Sequence, residues 1–122
     1  MEKKFDLEDR LIEYTAKVAE IIESLPHNRY GNYLGDQLIR SSMSPALSYG
    51  EAQSAESIAD FIHKMKLALK ELRESFISLK IIRRHKLLKN EDHLAFVIDE
   101  TNQLISIFVK SIETARKNRN KK

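Results

Sequence analysis

The sequence predicts an all-α protein, an antiparallel up-down-up-down four-helix bundle. Apolar residues recur at alternating intervals of three and four along four long segments, which is the heptad spacing of packed helices. Only three glycines and two prolines punctuate 122 residues, and no segment alternates apolar and polar residues as a strand does. This length suits one hydrophobic core, so we expect one domain over residues 1–115, followed by a basic C-terminal tail over 116–122.

The first predicted helix covers residues 6–25. Asp6 is a suitable N-cap, and Pro26 ends the helix before a turn over residues 27–32. The apolar positions of this helix follow a 4-3-4-3-4 spacing: Leu7, Leu11, Tyr14, Val18, Ile21 and Leu25.

The second predicted helix covers residues 33–53, with a kink or break near Ser41 to Pro45 because proline lacks a backbone N–H. A polar stripe runs along it: Gln37, Arg40, Ser44, Ser48 and Glu51. Apolar rows flank this stripe on both sides: Leu34, Leu38 and Tyr49 on one, and Ile39, Met43 and Leu47 on the other. The pattern predicts that the stripe is enclosed, with Arg40 and Glu51 as structural charges and Glu71 as the partner of Arg40. The alternative is a charged binding groove.

The third and fourth predicted helices cover residues 57–84 and 91–116, with Ser57 and Asn90 as N-caps. Both carry a heptad seam. More apolar residues remain than one four-helix core needs: Phe61, Ala68, Ile77, Ile81, Ile82, Phe96, Val97, Leu104 and Val109. This surplus predicts a homo-oligomer, and the alternative is a thickly packed monomer core.

Charge is unevenly distributed along the chain. Residues 1–60 carry six Lys and Arg against eleven Asp and Glu, whereas residues 61–122 carry fifteen against seven. Two basic clusters are candidate nucleic-acid-binding residues: Arg83, Arg84, Lys86 and Lys89, and Arg116, Lys117, Arg119, Lys121 and Lys122. The alternative is a solubilising loop and a frayed tail. We find no aromatic residues interleaved with these clusters, so the sequence predicts contact with phosphates rather than base reading.

No catalytic, cofactor or metal site is predicted. Asp60 and His63 lie one helical turn apart, but carboxylate-bundle metal sites need a second such pair. Nucleotide-binding glycine loops and nucleophile-elbow motifs are also missing, so we expect no enzyme activity. The chain has no cysteine, no signal-peptide pattern and no apolar stretch of about 18 residues, which favours a cytoplasmic protein without a membrane partner.

Residues 37–74 read QLIRSS-x-S-x3-SYGEAQSAES-x2-DFIHK-x3-ALKE-x-RE. This run resembles the core signature of the bacterial 23S rRNA-intervening-sequence proteins, also called S23-type. The resemblance implies a four-helix bundle that assembles as a ring-like homopentamer, with no established catalytic activity. It also implies a relation to the accessory variability determinant of diversity-generating retroelements, a basic pentamer that binds nucleic acid and a reverse transcriptase.

Three functions follow as hypotheses. The first is a non-enzymatic oligomeric module that binds RNA or DNA through backbone electrostatics. The second is a protein–protein scaffold or adaptor without a nucleic-acid role. The third, which we favour least, is an enzyme with a site at subunit junctions.

Overall fold

The computed structural model describes residues 6–121, and these residues form four α-helices and no strand. They are α1 (Leu7–Ser24), α2 (Arg29–Gln53), α3 (Ile58–Arg84) and α4 (Glu91–Asn120). The predicted helical fold class is therefore confirmed.

Each helix begins at a residue whose side chain accepts a hydrogen bond from the backbone N–H three residues further on. Asp6, Ser57 and Asn90, the three predicted N-caps, all act in this way, over 2.8, 3.0 and 3.1 Å. The fourth cap is Asn28, whose Oδ1 accepts from the N–H of Gly31 over 2.9 Å. Such caps satisfy backbone donors that the first turn of a helix leaves free.

α2 begins at Arg29, four residues earlier than predicted. The residues after Asn28 resemble a turn in sequence, yet they form the first helical turn. Gly31 makes this possible, since a Cβ there would lie 2.0 Å from the carbonyl oxygen of Pro26. Glycine therefore allows the start of α2 to pack directly on Pro26, two residues after the end of α1.

α2 is also continuous through Pro45, which is buried. Of the two predicted alternatives at this position, the break is therefore wrong. One missing backbone hydrogen bond does not end the helix, because the surrounding packing stabilises both halves.

α4 extends to Asn120, so most of the predicted C-terminal tail is helix. Lysine and arginine are good helix formers, and their positive charges are favourable at a helix C-terminus. Lys122 lies outside the described residues.

The four helices are antiparallel to their neighbours in the order α1, α2, α3, α4 around the bundle. α1 packs against α2 and α4, and α3 packs against the same two helices. Side-chain contacts give the directions: Arg10 with Glu100 and Glu20 with His93 join α1 to α4, and Ser41 with Ser75 and Glu51 with Lys64 join α2 to α3. This is the predicted up-down-up-down topology. α1 and α3 lie diagonally across the bundle, and Tyr14 of α1 reaches Ser75 of α3 through the core.

The predicted heptad seams form the core. The α1 seam is buried at five successive positions: Leu11, Tyr14, Val18, Ile21 and Leu25. Four residues that the sequence left as surplus are buried in the same core: Ala68, Ile82, Val97 and Leu104. One chain therefore uses more of its apolar surface than predicted, while Ile77, Ile81 and Phe96 stay exposed.

Two buried hydroxyl pairs fix the register of the helices. Tyr14 Oη lies 2.7 Å from Thr101 Oγ1, which donates to the carbonyl of Val97. Ser41 Oγ lies 2.7 Å from Ser75 Oγ between α2 and α3. Burial raises the pKa of Tyr14 to about 12, because a phenolate would lose its hydration there.

Candidate nucleic-acid interface

The two predicted basic clusters lie at opposite ends of the bundle. Arg83 and Arg84 form the last turn of α3, and the following loop carries Lys86 and Lys89. Lys86 adopts a positive φ of 54°, which turns the chain out of the helix. The second cluster lies at the end of α4, and its described members are all exposed: Arg116, Lys117, Arg119 and Lys121. Antiparallel packing of α3 and α4 separates the two clusters by the length of the bundle.

A third set of cations, which the sequence reasoning missed, lies along the outer face of α3. We call it the α3 basic stripe, and its five members are all exposed: Lys66, Lys70, Arg73, Lys80 and Arg84. Their spacing is 4, 3, 7 and 4 residues, with Ile77 inside the longer interval. The cations therefore recur at near-heptad spacing on the exposed face of α3. The regular spacing of these cations is visible in the sequence. A search for short runs of neighbouring charges does not detect it.

The stripe extends for about 27 Å, since its eighteen residue steps each rise about 1.5 Å. None of its members forms a salt bridge with another residue between 6 and 121. Only Lys80 has a specific neighbour, the ring of Phe76, whose centroid lies 4.9 Å from the ammonium. The positive charges of the stripe therefore remain available to a polyanion.

An open groove of about 700 Å³ runs beside the stripe. Its α3 lining combines three cations of the stripe and one carboxylate with apolar residues: Lys66, Lys70, Arg73, Glu74, Leu69, Ile77 and Ile81. Tyr33 and Gln37 contribute from the start of α2, because antiparallel packing places that end of α2 beside the last turns of α3. The groove thus joins charge, apolar surface and an aromatic ring.

Tyr30 lies beside the first basic cluster in space, although it is not interleaved with that cluster in the sequence. The ring of Tyr30 lies 5.8 Å from that of His85, at an angle of 31°. Tyr30 and Tyr33 are 61% and 64% exposed. The sequence could not reveal this grouping, because Tyr30 and His85 are 55 positions apart and meet only through the pairing of α2 with α3.

The charge of the bundle differs between its two sides. α3 carries seven Lys and Arg against three Asp and Glu, a net charge of +4. α1 carries two against five, a net charge of −3, and lies diagonally opposite. α3 therefore forms a positive side of the bundle, and the basic residues at the end of α4 form a separate positive patch.

The predicted polar stripe of α2 is not enclosed within one chain. Arg40 is exposed and donates through Nη2 to Gln37 Oε1 over 2.7 Å. Glu51 is exposed and pairs with Lys64 over 3.0 Å, a hydrogen bond that raises the pKa of Lys64. Ser44 is half-buried.

The predicted pair of Arg40 with Glu71 does not form within one chain. Arg40 points to solvent, whereas Glu71 is half-buried, and its Oε1 has no hydrogen-bond partner among residues 6–121. Ser48, the remaining member of the polar stripe, is half-buried.

One flank of that polar stripe stays apolar and exposed. Ile39, Met43 and Leu47, which we call the α2 apolar row, follow each other at intervals of four residues. Leu47 is 70% exposed. The other flank differs, since Leu34 and Leu38 are buried in the core.

No group of three or more potential metal ligands lies among residues 6–121. Asp60 is instead part of the α3 capping structure, where it accepts a weak hydrogen bond of 3.4 Å from the Glu56 N–H.

Within the same described residues, no helix has the length and apolar character to cross a membrane.

The fold and this surface define a helical-bundle protein with one cationic side. A model of the 23S rRNA-intervening sequence protein family matches residues 3–110, and the chain belongs to that family. The resemblance seen in the sequence is thereby confirmed, whereas the relation to the accessory variability determinant stays a prediction.

Among solved structures, the chain is similar to a protein of unknown function from the S23 ribosomal protein family of Bacteroides thetaiotaomicron. The TM-score is 0.79 and the identity 23%, over 88% of this chain and 98% of the other. This similarity supports the bundle fold. No curated protein is similar enough to match the chain.

Proposed function

We propose that this protein is a non-enzymatic oligomeric module that binds RNA or DNA through the phosphate backbone. The observation that carries the proposal is the α3 basic stripe, a row of exposed and unpaired cations on a rigid helix. Lysine and arginine bind phosphates with little dependence on base sequence, and they release condensed counterions as they do so.

The cluster Arg83, Arg84, Lys86 and Lys89 extends the stripe. Arg84 belongs to both sets, so the cationic surface continues from the middle of α3 into the loop before α4. The cluster at the end of α4 is separate from this surface. We therefore expect the α3 side to contribute more to affinity than residues 116–121.

Self-association would strengthen binding to a polyanion, because it would repeat the weak binding surface of one chain. We propose a ring-like homopentamer in which the α2 apolar row lies between subunits. Three exposed apolar side chains in register support such a contact. A ring would present five copies of the stripe, and binding to one polyanion would gain from avidity.

A second candidate function is a protein–protein scaffold, and the α2 apolar row favours it. In that case the row would bind a different protein rather than another subunit. Binding to such a partner would depend little on salt, since apolar burial is not screened by ions.

The test is an anisotropy titration of mixed-sequence RNA and DNA at low and moderate salt. The variant Lys70→Gln/Arg73→Gln removes two charges from the stripe, and Lys17→Gln/Lys110→Gln removes two from other helices as a matched control. We expect the first variant to lose about tenfold in affinity and the control to lose much less. Equal losses would mean that only net charge matters, and absence of binding by the unmodified protein would overturn the proposal.

A further inference from the structure

We propose that the groove beside the α3 basic stripe binds single-stranded nucleic acid, with bases stacked on Tyr33 and on the Tyr30–His85 pair. This inference rests on the proposed function and specifies its ligand. Three observations carry it: the cations form one row, the groove has an apolar floor, and exposed aromatic rings lie at one end.

The arrangement of the cations is suited to one strand. Their positions along α3 form a single nearly straight row, at intervals of three, four and seven residues. A flexible strand can follow such a row and neutralise each charge in turn. A duplex is stiff over about 150 base pairs, so it would touch a convex helix only where its backbone crosses the row.

The floor of the groove is suited to bases rather than to phosphates. Leu69, Ile77 and Ile81 line it between the cations, and Ile77 is 54% exposed. The outside of a duplex offers sugar and phosphate to these side chains. A single strand offers the unpaired faces of its bases, which are largely apolar.

Each aromatic ring at the groove end has one neighbouring side chain. Tyr33 Oη accepts a hydrogen bond from Gln37 Nε2 over 3.3 Å, one turn further along α2. The ring of Tyr30 lies beside that of His85. Both tyrosines stand on the first two turns of α2, whose position is set by the close contact of Gly31 with Pro26. Both rings are exposed, so their faces are open to stacking by a base.

The cations and the rings meet at the same end of the bundle. Arg84 ends the stripe one residue before His85, and Ile81 lines the groove together with Tyr33. A strand lying on the stripe would therefore reach the tyrosines without a change of direction. One continuous surface would therefore offer cations to the phosphates of the strand and aromatic rings to its bases.

The experiment compares three ligands at the same low salt: a 20-nucleotide oligo-U, a hairpin duplex of matched charge, and inorganic polyphosphate. We expect oligo-U to bind most tightly. Tyr33→Ala should weaken oligo-U binding about tenfold and leave duplex and polyphosphate binding nearly unchanged. Tyr33→Phe should retain most of the affinity, because the aromatic face remains.

Phe96→Ala is the matched control, since Phe96 is an exposed aromatic residue on α4 beside Lys17. It should leave oligo-U binding unchanged. The chain has four tyrosines and no tryptophan, and two of the four, Tyr30 and Tyr33, lie at the groove end, so stacking there should lower part of the tyrosine emission. Oligo-U should quench it and polyphosphate should not.

Two failures are distinguishable. Equal affinity for oligo-U and duplex, with no effect of Tyr33→Ala, would overturn the stacking inference and leave backbone binding intact. A lack of binding to all three ligands would overturn the proposed function as well.

Discussion

The outer faces of α2 and α3 lie side by side on one bundle, yet they differ in what they expose. α2 presents Ile39, Met43 and Leu47 beside its polar stripe, while α3 presents a row of lysines and arginines. Both helices bury an apolar side in the same core. Burial in the core therefore does not account for the difference. Under the proposed function, α2 would bind apolar protein surface and α3 would bind a polyanion.

The largest effect is expected for substitutions in the α2 apolar row, and it concerns self-association. Met43→Glu/Leu47→Glu should abolish self-association, because two carboxylates would be desolvated in an apolar contact. Light scattering coupled to size exclusion should then give the mass of one chain, 14.2 kDa. Ile77→Glu, a change of the same kind on α3, should leave the assembly intact. If the unmodified protein is already monomeric at micromolar concentrations, the proposal of self-association is wrong.

The next largest effect is expected for the α3 basic stripe, and it concerns the salt dependence of binding. For single strands, log K falls with log salt concentration by about 0.7 per neutralised phosphate. Lys70→Gln/Arg73→Gln should therefore lower the slope by about 1.4, while Met43→Glu/Leu47→Glu should change affinity only through lost avidity. Affinity measured at four salt concentrations gives both slopes. An unchanged slope in the stripe variant would separate these two cations from phosphate binding.

A smaller effect concerns the hydroxyl pair that joins the two helices. Ser75→Ala leaves the hydroxyl of Ser41 buried without its partner, which should lower the free energy of unfolding by about 1–3 kcal/mol. Ser41→Ala/Ser75→Ala removes both polar groups and should cost less than Ser75→Ala alone. Urea unfolding measures both. A double variant that is less stable than the single one would point to a packing role instead.

The smallest expected effect is that of Arg40→Ala in the monomeric background of Met43→Glu/Leu47→Glu. Arg40 is exposed there and contacts only Gln37, so the free energy of unfolding should change by less than about 0.5 kcal/mol. In the assembled protein the same substitution should cost more if subunits enclose the polar stripe. Thermal unfolding of both backgrounds provides the test, and an equal loss in both would leave Arg40 without an interface role.

Much of the fold follows from the sequence because its signals are local. The seam of α1 and the caps Asp6, Ser57 and Asn90 each depend on residues within one or two turns of a helix. The early start of α2 was missed for a related reason. Gly31 reads as part of a turn in isolation, and only the position of Pro26 in space explains a glycine inside a helix.

The candidate site was harder to predict, because it depends on neighbours distant in sequence. The pairing of Tyr30 with His85 requires the antiparallel register of α2 and α3. The direction of Arg40, and hence its separation from Glu71, requires the rotation of α2 about its own axis in the bundle. The α3 basic stripe could have been predicted, since lysines and arginines recur along α3 at the same intervals as apolar residues.

The diagonal placement of α1 and α3 makes the bundle an electric dipole across its short axis, with the acidic helix at one pole and the basic helix at the other. Near a polyanion, such a molecule experiences a torque that turns α3 toward the ligand before contact and α1 away from it. Fewer encounters are then wasted on wrong orientations, and the association rate should rise at low ionic strength. If the protein binds nucleic acid as proposed, the negative pole would repel a second strand from the far side, and the chain would engage its ligand from one direction only.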